Sequence, residues 1–109
     1  INEEFNYYYT INYQRNYMEY SMTGEEQFIT AIIEQAIEDC AYTGTSNKML
    51  KFKMDAIDWI VGNNPEFLNY CKMLGMDSDT IRNKIIKHVD MSYSQKQKFK
   101  IKSEEKFFA

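Results

Sequence analysis

The chain has 109 residues, of which 44% are hydrophobic and 16% aromatic, which is enough for one domain with a single core and too little for two. Its net charge of −3 is divided unevenly: residues 1–47 carry eight acids against Arg15 alone, whereas residues 48–109 carry twelve bases against eight acids. This balance is far from that of a non-specific nucleic-acid binder, although it predicts a basic, partner-facing side in the second half.

An arm rich in Tyr and Asn is predicted over residues 1–22, where no helical period is found. Apolar residues alternate from Phe5 to Tyr13, a pattern that also allows a short strand. Tyrosine offers apolar area with a polar tip and therefore suits a binding interface. The candidate partner-binding residues are the tyrosines Tyr7, Tyr9, Tyr13, Tyr17 and Tyr20.

The first predicted helix extends from about Gly24 to Tyr42. It begins with a capping box, since Thr23 precedes Glu26 by three residues at the start of an apolar run. Gly44 is the expected stop. The apolar face is predicted to centre on residues that recur every four positions, with three isoleucines beside them: Phe28, Ile32, Ala36 and Cys40, flanked by Ile29, Ile33 and Ile37.

A second helix is predicted from about Asn47 to Val61, after Ser46 as N-cap and before Gly62 as stop. Its broad apolar surface predicts that it is the most buried helix, with Trp59 as a core anchor. The main stripe is Leu50, Met54, Ile57 and Val61, widened by Phe52, Ala56 and Trp59.

A third and a fourth helix follow, joined by a short turn. The third opens with Asn64 as N-cap and Pro65 at the first helical position, and Gly75 closes it. Asp77 is the expected N-cap of the fourth helix, which continues to about Val89. Inward-facing positions are predicted at Phe67, Leu68, Cys71 and Leu74 in the third helix and at Ile81, Ile85 and Val89 in the fourth.

The helical period is lost over residues 90–109, where lysines alternate with other residues from Lys96 to Lys102. This pattern predicts a basic tail that is either strand-like or disordered. The expected organisation is therefore an N-terminal arm over residues 1–22, a helical domain over residues 23–89 and this tail.

No catalytic, metal-binding or cofactor-binding constellation is found, so the sequence predicts a protein that is not an enzyme. His88 is the single histidine, and a lone His at a helix end is typical of a surface or capping role. Cys40 and Cys71 lack a C-x-x-C spacing and lie on apolar stripes, which predicts free, buried thiols. Carboxylates one turn apart, such as Glu34 and Glu38, are typical of a solvated helix face.

The segment from Pro65 to Lys87 resembles a helix-turn-helix motif, with two short helices joined by a turn that begins at Gly75. The small Cys71 precedes Gly75 by four residues, and the apolar Ile81 and Ile85 follow it by six and ten. In helix-turn-helix proteins, residues at these positions hold the two helices together, and the glycine supplies the conformation of the turn. The resemblance implies that the fourth helix faces the major groove of DNA, where Arg and Asn read guanine and adenine.

The candidate DNA-binding residues on this helix and on the basic tail are Ser78, Asp79, Arg82, Asn83, Lys87, Lys98 and Lys100. Three features weigh against DNA binding: Asp77 and Asp79 stand where phosphates would approach, Ile86 falls near the DNA-facing side, and the domain is not basic overall. An ordinary helical hairpin, with Gly75 as a simple C-cap, is the alternative interpretation.

A second resemblance covers about residues 29–87. It is carried by Ala31–Asp39, Asp55–Ile60, Phe67–Cys71, the Leu74-Gly75-Met76-Asp77 turn and the Ile81-Arg82 pair. These segments resemble a family of small helical proteins encoded by phages and prophages, in which an A-W or similar motif precedes a Phe, a Cys and an L-G-x-D turn. The resemblance implies a phage origin and no known chemistry.

We therefore expect an all-α protein with a small four-helix domain. The leading hypothesis is a phage-encoded DNA-binding regulator that acts through the hairpin. The alternative is a protein that binds and inhibits a host defence complex, in the manner of an anti-CRISPR protein, or a host transcription complex; the acidic first half and the Tyr-rich arm favour it. A structural part of the phage particle is a third hypothesis.

DNA or a host protein complex is the expected partner, self-association is left open, and no cofactor is expected. No stretch approaches the ~18 apolar residues of a membrane span, and the acidic, polar N-terminal segment lacks a signal-peptide pattern. We therefore expect no membrane association and a location in the cytoplasm of the bacterial host.

Overall fold

A computed structural model of the protein describes residues 22–101, which are all-helical and contain no strand. The expectation of an all-α fold is confirmed. The helices of the described residues are α1 (Gly24–Cys40), α2 (Asn47–Val61), α3 (Pro65–Leu74), α4 (Ser78–His88) and α5 (Tyr93–Lys98). The first four correspond to the predicted helices, and α5 lies in the segment for which no helix was expected.

The capping box predicted for α1 is present. The Thr23 side chain accepts from the Glu26 backbone N–H at 3.1 Å, and the Glu26 carboxylate accepts from the Thr23 N–H at 3.0 Å. These two bonds satisfy N–H groups that the first turn of a helix leaves without an intrahelical acceptor. The helix ends at Cys40, two residues before the predicted end at Tyr42.

A buried lysine joins α2 to the loop that follows α1. Lys53 is only 8% exposed, and its Nζ donates a hydrogen bond to the carbonyl oxygen of Tyr42 at 2.7 Å. The Tyr42 hydroxyl in turn accepts from the backbone N–H of Ser46, the N-cap of α2. The loop is therefore fixed at both ends by polar contacts, and the Lys53 charge lies beside the C-terminal end of α1, where the helix dipole favours a cation.

The core lies between α1, α2, α3 and α4, and α1 packs most extensively against α2. Every helix except α5 contributes at least two buried apolar side chains, and Met91 closes the core from the segment before α5. The buried apolar residues are Ile29, Ile33, Ile37 and Cys40 of α1, Ala56, Ile57, Ile60 and Val61 of α2, Phe67 and Cys71 of α3, Ile81 and Ile85 of α4, and Met91.

The apolar face of α1 is buried as predicted at Cys40 and at the three isoleucines, but not along the rest of the row that recurs every four residues. The isoleucines expected to flank the face form its centre, whereas Phe28 is 67% exposed and Ile32 and Ala36 are only half-buried. The α2 stripe shows the same kind of error, because Lys53 is buried while Met54 and Phe52 are 44% and 42% exposed. Each helix carries two adjacent apolar rows, and periodicity alone does not indicate which row contacts the partner helix.

The turn between α3 and α4 is a left-handed C-cap. Gly75 has φ +69°, and the backbone N–H of Met76 donates to the carbonyl oxygen of Cys71 at 2.8 Å. This is the hydrogen bond of a Schellman motif, in which glycine is favoured because it has no Cβ. Asp77 then caps α4, as expected, by accepting from the Asp79 backbone N–H at 3.2 Å.

The prediction of a strand-like or disordered tail is wrong for residues 93–98, which form α5. Ser92 caps this short helix, and the Gln95 side chain is buried against α2, where its Nε2 donates to the Met54 carbonyl oxygen and to Asp58 Oδ1, each at 3.1 Å. Phe99 and Ile101 also pack against the core. The alternation of lysines concealed this helix because its contact with α2 depends on the polar Gln95 and on residues after its C-terminus.

Both cysteines are free and buried, as predicted. Burial raises the pKa of the Cys40 thiol to about 12 and that of Cys71 to about 11, with the nearby carboxylates of Asp39 and Asp77 adding to the respective shifts. Neither thiol forms the reactive thiolate at neutral pH. Both cysteines therefore serve as small apolar core residues.

Candidate partner-binding groove

A groove of about 410 Å³ opens between α1 and α2 and reaches the first turn of α3. Its floor is apolar, and its rim carries one amide and three carboxylates. The residues that line it are Ile32, Gln35, Ala36 and Asp39 of α1, Phe52, Asp55, Ala56 and Trp59 of α2, and Glu66 of α3. Two of these lining residues, Ala36 on α1 and Ala56 on α2, have the smallest side chains of the set.

Trp59 is half-buried, so the expectation that it is a core anchor holds only for one side of its ring. That side meets the fully buried Phe67 at a centroid distance of 5.2 Å and Tyr70 at 6.1 Å in an edge-on arrangement. The indole Nε1 donates to Glu66 Oε1 at 3.3 Å. These contacts fix the orientation of the indole, which leaves its other side to line the groove.

The carboxylates at the rim are held by neighbours of their own. Glu66 also accepts a hydrogen bond from the Tyr70 hydroxyl at 3.2 Å, and Asp39 accepts from Gln35 Nε2 at 3.0 Å. Desolvation, followed by the charge and the hydrogen bond of Glu66, raises the pKa of the Tyr70 hydroxyl, which therefore stays a donor. Asp55 forms an ion pair with Lys51 at 3.8 Å between two well-exposed side chains. An exposed pair of this length contributes little and leaves Asp55 accessible to a partner.

Further aromatic surface continues beyond the groove along α1. Phe28 lies one turn before Ile32 on the same side of α1 and is 67% exposed. Phe52, on the facing side of α2, is 42% exposed. Large exposed aromatic side chains beside a concave apolar floor are typical of protein-binding surfaces.

The candidate DNA-reading residues of α4 do not all face solvent. Arg82 is half-buried, and its Nε donates to the carbonyl oxygen of Val61, the last residue of α2, at 2.7 Å. Ser78 is half-buried at the start of α4. Asp79, Asn83 and Lys87 are exposed, and their spacing of four residues places them along one side of the helix.

The two candidate lysines of the tail lie around α5. Lys98 is the last residue of this helix, and its Nζ lies 3.5 Å from Asp58 Oδ1 of α2. Lys100 is exposed, with φ +59°, in the segment that follows. Arg82 and Lys98 thus both contact α2, and the Lys98 side chain remains 60% exposed. The tyrosines of the arm, Tyr7, Tyr9, Tyr13, Tyr17 and Tyr20, lie outside the described residues.

Sequence reasoning missed the groove, although one signal for it was present. Seven apolar residues of α1 occupy two adjacent rows, which is more than one helix–helix contact can bury. The surplus row, which includes Ile32 and Ala36, lines the groove. Such a surplus indicates a second contact surface, but locating it requires the orientation of α1 against α2.

Among residues 22–101, no group of His, Cys, Asp and Glu side chains is arranged to hold a metal ion. In the same part of the chain, every helix is too short or too polar to cross a membrane. Comparisons with models of protein families, with curated proteins and with solved structures found no match to this chain.

Proposed function

We propose that this protein is a protein-binding module rather than an enzyme, and that the groove between α1 and α2 is its binding site. In the setting that the phage resemblance implies, the partner is a host protein complex in the bacterial cytoplasm, and binding inhibits that complex. The groove carries this proposal, because a concave apolar floor bordered by exposed aromatic and acidic side chains is the kind of site that receives a partner side chain.

The chemistry of the groove favours protein over nucleic acid as the partner. Its three carboxylates would repel a phosphate backbone, whereas its aromatic side chains suit an apolar anchor. Trp59 is oriented by its neighbours before any partner arrives, so little conformational entropy is lost on binding.

This function is tested by comparing partner capture by two variants, one changed inside the groove and the other at an equally exposed position outside it. Phe52→Ser removes an aromatic side chain from the groove, and Met54→Ser removes an equally exposed apolar side chain from α2 outside the groove lining. The tagged protein and both variants are incubated with nuclease-treated bacterial lysate, and bound proteins are identified by mass spectrometry. We expect one protein that is retained by the wild type and by Met54→Ser and is lost from Phe52→Ser.

Two results would contradict the groove as the binding site. A partner retained equally by Phe52→Ser and Met54→Ser must bind elsewhere on the chain. Material that is captured only when nucleic acid is left intact would instead favour the second candidate function.

DNA binding through α3 and α4, as a regulator with a helix-turn-helix-like hairpin, is that second candidate. One observation favours it: Gly75 has the left-handed conformation that such a turn uses, and Cys71, Ile81 and Ile85 are all buried in the core. Asp79, Asn83 and Lys87 then form the accessible part of the reading surface. The bond between Arg82 and Val61 weighs against this candidate, because it withdraws the best base-reading side chain.

Binding to duplex DNA at low salt tests the second candidate, since the electrostatic attraction is then largest. A DNA-binding hairpin predicts that Asn83→Ala lowers sequence preference and that Lys87→Ala weakens binding to all sequences alike. Fluorescence anisotropy with labelled duplexes distinguishes these effects. Absence of affinity at low salt would exclude this function.

A further inference from the structure

The charge around the groove indicates which class of partner it takes. Asp39, Asp55 and Glu66 lie at three places on its rim, and no Lys, Arg or His is among the described residues that line it. Among residues 22–101, the cation paired with one of these three carboxylates is Lys51, which meets Asp55 in a long, exposed contact. The rim therefore presents net negative charge around an apolar floor, which is complementary to an apolar side chain flanked by cations.

The second half of α1 strengthens this negative field. Asp39 lies in its last turn, which carries no basic residue. Carboxylates are disfavoured at this end of a helix, where the dipole is already negative. Lys53 offsets part of this charge at the Tyr42 carbonyl, on the buried side of the helix pair. A cationic partner bound over the groove would neutralise the remaining negative charge from the solvent side.

The shape of the site points to a helical segment. The groove runs between two packed helices, and its floor is made by residues one turn apart, Ile32 and Ala36 on α1 and Phe52, Ala56 and Trp59 on α2. Side chains at helical spacing on a partner meet such a row at successive positions. This is the arrangement by which amphipathic helices bind in grooves, where a few apolar anchors carry the affinity.

We propose that the α1–α2 groove binds a basic amphipathic helix of a partner protein, with an apolar anchor on the Ala36–Ala56–Trp59 floor and lysines or arginines against Asp39, Asp55 and Glu66. This inference rests on the proposed function and adds the chemical class of the partner. The negative rim sets the selectivity, since an acidic helix of the same shape would be repelled by all three carboxylates.

The intrinsic fluorescence of Trp59 provides a direct measurement, because Trp59 is the only tryptophan of the chain and lines the groove. The probe is a synthetic amphipathic helical peptide of leucine and lysine without aromatic residues. The control peptide carries glutamate in place of each lysine. We expect a saturable change in emission with the lysine peptide that weakens with added salt, and none with the glutamate peptide.

Two charge reversals separate binding in the groove from general attraction to an acidic protein. Asp55→Lys changes the charge at the rim, and Asp90→Lys makes the same change at an exposed residue outside the groove lining. We expect Asp55→Lys to weaken binding of the lysine peptide about tenfold and Asp90→Lys less than about twofold. Asp55→Asn, a milder change at the same exposed site, should fall between them, and circular dichroism checks that all variants fold.

Equal effects of the two reversals, or equal binding of the two peptides, would overturn the basic class of partner. The proposed function fails separately, when Phe52→Ser retains the captured protein. Loss of capture by Phe52→Ser combined with no binding of the lysine peptide would leave the groove as the site and overturn only the assignment of a basic helix.

Discussion

In the α3–α4 hairpin Phe67, Cys71, Ile81 and Ile85 are buried in the core, whereas beside the α1–α2 groove the large aromatic residues Phe28 and Phe52 are 67% and 42% exposed. In the hairpin, the Arg82 side chain also forms an internal hydrogen bond, because it donates to a carbonyl oxygen at the end of α2. In the groove, Asp55 stays well exposed at the rim, where its one ion pair with Lys51 is long. A region whose functional groups satisfy the protein itself acts as scaffold, and a region that leaves apolar and charged groups accessible is the better candidate for binding.

This difference between hairpin and groove is important because the sequence motifs alone predict that the hairpin is the binding site. Helix capping and a left-handed glycine are needed by any tight helix–helix turn, whether or not it binds DNA. An exposed row of apolar residues has no comparable role in folding. Substitutions in the core, at Arg82 and at Gly75 therefore separate scaffold from binding surface by the size of their effects on stability.

The largest effect is expected for Phe67→Ala, compared with Trp59→Ala. Phe67 is fully buried, so its truncation should lower the free energy of unfolding by about 3–5 kcal/mol. Trp59 contacts Phe67 on one side only, and we expect about 1–3 kcal/mol for its truncation because its other side already faces the groove. Urea unfolding followed by circular dichroism measures both. Equal losses would mean that Trp59 is a core residue and would remove the argument for a preformed groove.

The next largest effect is expected at Arg82, where a substitution shows whether the side chain stabilises the fold or is free to read bases. Arg82→Ala removes a charged donor from the carbonyl of Val61, and we expect a loss of about 1.5–3 kcal/mol in the free energy of unfolding. Asn83→Ala, at the exposed neighbouring position, should change it by less than about 0.5 kcal/mol. The measurement is urea unfolding of both variants. If Arg82→Ala is as stable as the wild type, its side chain is free to read DNA, and the hairpin regains its place as the leading candidate site.

The sequence was sufficient to predict the positions of four helices because their ends carry local signals. The Thr23 capping box, the Pro65 N-terminus and the Gly75 stop each depend on residues within one turn of each other. Burial was predicted less well, since the two apolar rows of α1 are equivalent in sequence and only the position of α2 decides between them. The buried Lys53 is the clearest case: its place in the core depends on the Tyr42 carbonyl, eleven residues away.

The candidate site depended even more on tertiary contacts. Arg82 has the residue type and spacing expected of a base reader. Its hydrogen-bond acceptor, the carbonyl oxygen of Val61, is 21 residues away in the sequence, so a local motif does not reveal this contact. Similarly, α5 is stabilised by the contact of Gln95 with Met54 and Asp58, which periodicity does not report. The groove is lined by residues from three different helices, and none of them is informative alone.

The smallest effect concerns the turn of the hairpin, where Gly75→Ala is compared with Gly24→Ala in the first turn of α1. A Cβ added at either glycine meets no atom within 4 Å, so steric crowding from the rest of the protein is absent at both sites. Only Gly75 has a positive φ, of +69°. An alanine there is strained by its own backbone, and we expect a loss of about 1 kcal/mol in the free energy of unfolding.

Gly24→Ala should instead be neutral or stabilising by up to about 1 kcal/mol, because the unfolded chain loses conformational freedom without strain in the helix. Thermal and urea unfolding of the two variants therefore give opposite signs for the same chemical change. A Gly75→Ala protein as stable as the wild type would mean that the turn relaxes to another conformation. A loss near 1 kcal/mol, with capture of the partner unchanged, would show that the hairpin supports the fold while binding takes place elsewhere. The same variant would then separate the two proposed functions, because a DNA-binding hairpin with an altered turn must lose affinity for DNA as it loses stability.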